Sequence, residues 1–209
     1  MIALGHYADL FSATTGPNIA FPSGYLIYAL AHRGNPRSKQ PDRLVDTRAP
    51  ARILSMSEIR VRAAVPPDSE PLARLREGLW PESSAAEHAR ELRSLLAEQR
   101  HGTMPMTIFV AEAESGELAG FLEAGLRSHA DGCDPQHAVG FIEGWFVSEN
   151  YRRRGIGRSL LAAAEAWARS HGCIEMASDT WIDQDLSQRV HEALKFEIVD
   201  RCVHYRKRL

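Results

Sequence analysis

The segment YRRRGIGRSLL, residues 151–161, joins arginines and glycines to an apolar run at helical spacing. Gly155 and Gly157 stand between a strand-like segment and the start of that run. Main-chain N–H groups and the positive end of the helix dipole both favour an anion at such a place. The segment therefore predicts a phosphate site, although its spacing matches neither GxxxxGK[ST] nor GxGxxG. A tight turn with a solvated basic patch is the alternative interpretation.

Two carboxylates occupy positions that favour a chemical role. Glu143 lies within the apolar stretch FIEGWFV, where a charged side chain is costly unless it has a partner or a function. Asp179 follows the strand-like EMAS, at the edge where α/β sheets place ligand-contacting groups. The alternatives are a solvent-facing strand position for Glu143 and a turn or helix cap for Asp179.

A loop with regularly spaced histidine and cysteine raises the question of a metal site. His129, Cys133 and His137 recur every four residues. However, Asp131-Gly132 and Asp134-Pro135 would break a helix that brought them onto one face, and a closed zinc site needs four ligands. We therefore expect no metal.

The elements that must position these residues begin near Met56, where Ile59, Val61 and Ala63 alternate with charged residues as in a strand. Two helices follow, then three strands over 106–113, 118–126 and 138–147. A helix ending before Gly172, a strand over 173–178 and a helix through Leu194 come next, and two closing strands over 196–200 and 202–208 complete the pattern. The order predicts an α/β fold with a mixed, mostly antiparallel sheet and helices on both faces.

Residues 1–55 are rich in proline and glycine and show no sustained period of 2 or 3.6. We expect them to form a mostly unstructured N-terminal extension to a domain over 56–209, and Met56 is a candidate start codon. With 44% hydrophobic residues and a formal charge of −2, the chain is not a general nucleic-acid binder. It has no run of 18 apolar residues, so no membrane association is expected. Three cysteines without a CxxC pair favour free thiols in a reducing cytoplasm.

The motif Arg152-x-x-Gly155-x-Gly157 after a strand resembles the pyrophosphate loop of the GCN5-related N-acetyltransferases, which bind acetyl-CoA. The segments FIEGWFV, GCIEMASDT and SQRVHEALKF, followed by HYRKR, resemble the aminoglycoside 6'-N-acetyltransferases within that superfamily. The resemblance covers residues 58–208. It implies acetyl transfer from acetyl-CoA to an aminoglycoside amine, antibiotic resistance, a homodimer and no metal.

The resemblance also assigns acceptor-side residues. It places Glu143 and Asp179 in the aminoglycoside site, where either one could take the proton of the amine. Asp200 is a further carboxylate for the amines, or else an exposed acid at a strand end. The remaining predicted contacts are Trp80, Ser83 and His129. A lone tryptophan such as Trp80 more often packs in a core.

On the cofactor side, the resemblance implies that strand residues offer backbone groups to the pantetheine arm and that the loop surrounds the pyrophosphate. The predicted residues are Phe146, Val147, Ser148, Arg152, Arg154, Gly155, Ile156, Gly157, Arg158 and Gln184. Many members of the superfamily carry Asn and then Tyr where this chain has Gln184 and His191, and Gly where it has Lys195. His191 is therefore the candidate for protonating the thiolate, and a packed histidine is the alternative.

Two other functions remain open at this point. The first is acetyl transfer to a different amine, such as a polyamine, a small metabolite or a protein terminus. The second is a non-catalytic acyl-CoA-binding module, against which the acidic residues near the proposed acceptor site argue.

Overall fold

The computed structural model describes residues 59–101, 103–203 and 205–208, without the side chains of Arg100 and His101. The predicted unstructured extension over 1–55 lies outside these residues. None of the helices within the described ranges is long and apolar enough to cross a membrane.

Six strands and four α-helices make up this part of the chain. The first half contains β1 (Ile59–Ala63), α1 (Ser69–Leu79), α2 (Ala85–Glu98), β2 (Arg100–His101), β3 (Met104–Ala113) and β4 (Leu118–Arg127). The second half contains β5 (Val139–Val147), α3 (Ile156–Ser170), β6 (Met176–Ser178) and α4 (Asp185–Ala193). Ser84 caps α2, since its hydroxyl accepts from the Glu87 amide while the Glu87 carboxylate accepts from the Ser84 amide.

The strands form one sheet in the order β1-β3-β4-β5-β6, and the short β2 pairs with β3. Every pair is antiparallel except β5 with β6, which are parallel because α3 crosses over between them. Neighbouring residues of β4 point to opposite faces, so Phe121 packs against α1 and α2 while Leu122 packs against α3. The predicted mixed sheet with helices on both faces is confirmed.

The two predicted closing strands are wrong. Residues 196–200 and 202–203 form no strand in the described part of the chain, and most of their side chains are exposed. A strand requires a neighbouring edge with free N–H and C=O groups. Here the segment instead passes over the loop between β4 and β5, and Val199 lies so close to Gly132 that any side chain at Gly132 would collide with it.

The helices α1 and α2 cover one face of the sheet, and we call them the helical layer. A buried ion pair links this layer to the sheet. Arg76 of α1 lies 2.8 Å (Nε to Oε1) from Glu123 of β4, and both side chains are almost fully buried. Arg76 also contacts Glu91 of α2 at 3.0 Å, and its guanidinium lies 5.0 Å from the ring centroid of Trp80. Burial raises the pKa of the Glu123 carboxyl, and the positive charge of Arg76 opposes that shift.

Candidate active site

The strand β5 and the edge strand β6 part before the end of β5. The pairing of β5 with β6 ends at Ile142 opposite Ser178, whereas β5 continues to Val147. Beyond Ile142 the edge of β5 that faced β6 therefore has no partner strand in the described chain. Such an open strand edge offers N–H and C=O groups to an extended ligand.

Glu143 lies at a bulge that coincides with this parting. Glu123 of β4 is opposite Gly144, and the next residue, Ala124, is opposite Ile142, so Glu143 is the extra residue on β5. A bulge bends its strand and redirects one side chain. Gly144 follows at a position where a Cβ would lie 2.4 Å from the Trp80 ring, so only glycine allows the helical layer to approach so closely.

The Glu143 carboxylate is held by an arginine that the sequence did not single out. Nε and Nη2 of Arg127 donate to Oε1 and Oε2 of Glu143 at 3.1 and 2.7 Å. The same guanidinium lies over the Phe141 ring, with Cζ 3.2 Å from the ring centroid. We call this contact the Arg127–Glu143 pair.

Asp179 is the first residue after β6, as Glu143 is the first residue of β5 beyond the paired segment. The two carboxylates thus leave adjacent parallel strands side by side. Burial raises the pKa of the Asp179 carboxyl, Arg127 lowers it, and Glu143 raises it again. The structure therefore brings together the two acids that the sequence predicted for the acceptor side.

His191 lies in α4 close to Asp179. Its Nδ1 is 2.8 Å from the Ser187 carbonyl oxygen, which only accepts, so Nδ1 carries a proton. Its Nε2 is 3.0 Å from the Ser178 hydroxyl, and the ring edge packs against Trp145 and Phe196. Burial lowers the pKa of the imidazole and thereby favours the neutral ring, in which Nε2 accepts from Ser178.

The predicted phosphate loop forms the entrance to α3. Gly155 has a φ of 79° at the N-cap position, a conformation that favours glycine, and no side chain caps the helix. The main-chain N–H groups of its first turn therefore have no partner within the helix. A Cβ at Gly157 would lie 3.1 Å from the Trp145 ring, so this glycine lets α3 pack closely on β5. Ile156 is buried beneath the turn, and Arg158 is exposed on it.

The loop arginines have different partners. Arg152 donates from Nε to the Val147 carbonyl at 2.9 Å and thereby closes the loop onto the end of β5. Arg154 packs on Tyr151, and its Nη1 atom is buried without a hydrogen-bond partner in the described part of the chain. An unpaired buried donor beside uncapped helix amides suits a diphosphate.

The other cofactor-side candidates lie around the same opening. The Ser148 amide already donates to Ala119 at 2.9 Å, and Arg152 uses the Val147 carbonyl. Along a strand, the backbone N–H and C=O groups of successive residues point to alternate edges. The backbone groups of Phe146, Val147 and Ser148 therefore do not all face the opening. Gln184 occupies the N-cap position of α4 and makes no side-chain capping bond.

Two acceptor-side candidates lie in the helical layer. Trp80 is only 5% exposed, packs in the core formed by α1, α2 and the sheet, and accepts a hydrogen bond from His88 at its carbonyl. It therefore touches the bulge through Gly144 and presents little surface to a sugar. Ser83 is half-buried in the turn that follows.

Two further candidates lie at the surface. His129 is exposed in the loop after β4, with Nδ1 3.1 Å from the Ser128 hydroxyl, and Asp200 is exposed in the C-terminal segment. His137 pairs with Asp134 at 2.9 Å. Among the described residues, no three His, Cys, Asp or Glu side chains are grouped closely enough to hold a metal ion.

Sequence reasoning missed two polar residues of this region. Arg127 ends β4, and Thr180, next to Asp179, has a buried Oγ1 without a hydrogen-bond partner in the described chain. Nothing in the spacing links Arg127 to Glu143, because the bulge that sets their registration is not visible in sequence.

Comparison with known proteins adds a family assignment. Residues 72–196 match the model of the acetyltransferase (GNAT) family. An aminoglycoside N(6')-acetyltransferase type 1 from Stenotrophomonas maltophilia is 38% identical over 146 residues, which are 70% of this chain and 91% of that protein. A protein of the same name from Serratia marcescens is 40% identical over 136 residues, covering 65% and 89% of the two chains.

Solved structures agree with these relatives. AAC(6')-Iy in complex with the bisubstrate analogue CoA-S-monomethyl-acetylneamine is 36% identical and superposes with a TM-score of 0.64, over 72% of this chain and 99% of that one. AAC(6')-Ih from Acinetobacter baumannii, at 28% identity, gives the same TM-score and coverage.

Proposed function

The chain belongs to the acetyltransferase (GNAT) family, and from that premise we propose that it transfers the acetyl group of acetyl-CoA to the 6'-amino group of aminoglycosides. The observation that carries this conclusion is the 38% identity to an aminoglycoside N(6')-acetyltransferase over 91% of that enzyme's length. An organism that contains this activity would be resistant to the antibiotics it modifies.

The donor side is formed by the β5 edge and the first turn of α3. Uncapped amides of residues 155–158 and the unpaired Nη1 of Arg154 would hold the diphosphate. The open edge of β5 would align the pantetheine arm. Gln184, at the N-cap of α4, is a further proposed contact of the cofactor. Bound acetyl-CoA supplies the thioester carbonyl that the amine attacks.

The acceptor side is formed by the acids at the parting of β5 and β6. An amine must lose its proton before it can attack, so a carboxylate within reach is required. We assign that role to Asp179, because the Arg127–Glu143 pair already occupies both oxygens of Glu143. Glu143 then contributes its remaining lone pairs to a neighbouring ammonium group. The other proposed acceptor contacts are the exposed His129 and Asp200, the half-buried Ser83 and the almost fully buried Trp80.

His191 is the proposed proton source for the departing thiolate. In its neutral form Nε2 accepts from Ser178, so the ring can donate only after it takes up a proton. The proximity of Asp179 raises the pKa of the imidazole and thereby favours such uptake, although burial lowers it more strongly.

Acetyl-CoA turnover with a panel of amines tests the proposal. We expect thiol release with kanamycin and little with spermidine or a peptide amine. Preference for spermidine or a peptide would indicate an acetyltransferase with another acceptor. Binding of coenzyme A without thiol release from any amine would indicate an acyl-CoA-binding module.

A homodimer is proposed for the assembled protein. Exposed apolar side chains concentrate after β5; they are Ile174, Trp181, Ile182, Leu186, Val190, Ile198, Val199, Val203 and Tyr205. These nine exposed apolar side chains within residues 174–205 are the observation that supports an interface. Light scattering should give a mass twice that of one chain. Val203→Asp should lower the measured mass. Val65→Asp, which replaces an exposed valine outside this group, should leave it unchanged. A monomer in the unmodified protein would refute the dimer.

We also propose that the enzyme acts in the cytoplasm. All three cysteines are free thiols, Cys133, Cys173 and Cys202, and acetyl-CoA is a cytoplasmic metabolite.

A further inference from the structure

Arg127 reaches from one strand across its neighbour to the predicted acceptor site. It is the last residue of β4 and lies opposite Val139 of β5, yet its guanidinium contacts Glu143 with two nitrogens. The stacking of Cζ at 3.2 Å over Phe141 holds the side chain along β5. The arginine is thus fixed by three contacts and remains 40% exposed.

A glycine leaves the space that this arrangement needs. Gly125 lies opposite Phe141 in the β4–β5 pairing. A Cβ at that position would be 3.3 Å from Oε1 of Glu143 and 3.7 Å from its Cγ. A larger side chain would therefore press on the carboxylate and disturb the Arg127–Glu143 pair.

The charges around Asp179 show what the pair achieves. The charged or titratable groups that act on Asp179 are Arg127 of β4, Glu143 of β5 and His191 of α4. Without Arg127, two carboxylates would leave neighbouring strands with no cation between them, and the charge of Glu143 would oppose the ionisation of Asp179. With it, one carboxylate is neutralised and the other remains available.

We propose that Arg127 is a positioning residue for the acceptor site: it fixes the Glu143 carboxylate and cancels its charge, so that Asp179 is the carboxylate that receives the proton of the amine. In that step an N–H bond of the substrate ammonium breaks, an O–H bond forms on Asp179, and the lone pair left on nitrogen becomes the nucleophile. The inference rests on the proposed acetyl transfer to a cationic sugar.

Three variants separate the charge of Arg127 from its geometry. Arg127→Gln removes both, Arg127→Lys keeps only the charge, and Arg169→Gln removes a matched arginine from an exposed pair with Glu165 on α3. We expect kcat with kanamycin to fall roughly 10- to 100-fold in Arg127→Gln, since a misplaced catalytic geometry has an effect of that size. Its KM should not rise, because loss of a cation leaves the pocket more attractive to a polycation.

The pH profile distinguishes positioning from general damage. Loss of the cation raises the pKa of Asp179, so the acid limb of kcat/KM should move to higher pH in Arg127→Gln. Arg127→Lys should lower kcat but keep the acid limb near its original position, and Arg169→Gln should match the unmodified enzyme. An unchanged acid limb in Arg127→Gln, or a raised KM with unchanged kcat, would overturn the inference.

A titration that needs no turnover separates this inference from the proposed function. Carbon-13 NMR of the Asp179 carboxyl, identified by its loss in Asp179→Asn, should show a higher midpoint in Arg127→Gln than in the unmodified protein. Failure to acetylate kanamycin would refute the proposed function. An identical midpoint in both proteins would refute the role of Arg127.

Discussion

Asp179 is the residue on which the proposed proton transfer depends. Asp179→Asn keeps the shape of the side chain but removes its basicity, so kcat should fall roughly 10²- to 10⁴-fold, the usual contribution of a general base. Affinity for coenzyme A, measured by calorimetry, should stay the same because the phosphate loop is untouched. Asp183→Asn, at an exposed position close by in sequence, is the control. Full turnover in Asp179→Asn would remove this residue from the mechanism.

The pH dependence of activity follows from the same residue. Burial raises the pKa of Asp179 above its usual value, and the carboxyl must be ionised to accept a proton. Activity should therefore decline on the acid side at a higher pH than an ordinary aspartate would give. A plot of kcat/KM against pH measures this limb, and a limb at or below the usual aspartate range would contradict the assignment.

Lys195 is a residue whose type does not suit its backbone. It has a φ of 73° directly after the α4 C-cap, and the Phe196 and Lys195 amides donate to the His191 and Glu192 carbonyls. This pattern normally ends with glycine. Lys195→Gly should stabilise the fold by about 1 kcal/mol, the strain of a left-handed residue. That corresponds to a melting temperature higher by about 2–4 °C, and Lys195→Ala, which keeps a Cβ, should give no such gain.

At the residue scale, the sequence predicted Glu143 and Asp179 for the acceptor side and His191 for protonation of the thiolate. In the structure both Glu143 and His191 lie close enough to Asp179 to act on its carboxyl. It did not predict Arg127, because its contact with Glu143 depends on the strand registration and the bulge. The burial of Arg76 could have been predicted from the sequence. Arg76 lies four positions after Leu72 and three before Leu79, so it falls on the buried face of the helix.

The entrance to α3 is the element on which cofactor binding depends. Gly155 and Gly172 flank this helix with φ angles of 79° and 83°. Alanine at either position should cost about 1 kcal/mol of stability. Only Gly155→Ala should also weaken coenzyme A binding, roughly tenfold, which corresponds to one charge-assisted hydrogen bond. Calorimetry on both variants tests this, and equal affinities would show that the loop is not the phosphate site.

The helical layer depends on the buried pair between α1 and β4. Arg76→Met should leave the Glu123 carboxylate buried without its cation and destabilise the fold by about 3–5 kcal/mol. Urea unfolding of Arg76→Met and of the double variant Arg76→Met/Glu123→Leu measures the effect. The double variant should recover most of the loss, and a double variant as unstable as the single one would contradict an electrostatic cause.

At the element scale, hydrophobic periodicity was sufficient for the helices and the central strands, because each has one well-defined buried face. It failed for the C-terminal segment, which contains apolar residues but pairs with no strand of the described chain, although the outer edge of β6 is unpaired there. In a strand, the side chains of the consecutive residues Ile198 and Val199 would point to opposite faces of the sheet. Both are exposed here, so neither face of this segment is buried. Hydrophobic periodicity cannot show whether a segment will pair with a neighbouring strand.

At the scale of the whole molecule, the family model matches residues 72–196, which lie within the domain predicted over 56–209. We expect a protein that starts at Met56 to retain the kcat and coenzyme A affinity of the full chain. Steady-state kinetics and calorimetry on both proteins measure this. A loss of activity in the shorter protein would assign residues 1–55 a part in the enzyme.

The most direct test of the central claim uses two acceptors that differ only at the reacting position. Neomycin carries an amine at the 6' position where paromomycin carries a hydroxyl, and the rest of the two molecules is the same. With acetyl-CoA, the protein should release thiol rapidly with neomycin, give a product acetylated at the 6' nitrogen by NMR, and leave paromomycin unmodified. Equal turnover of both compounds, or acetylation of neomycin at another nitrogen, would contradict the account.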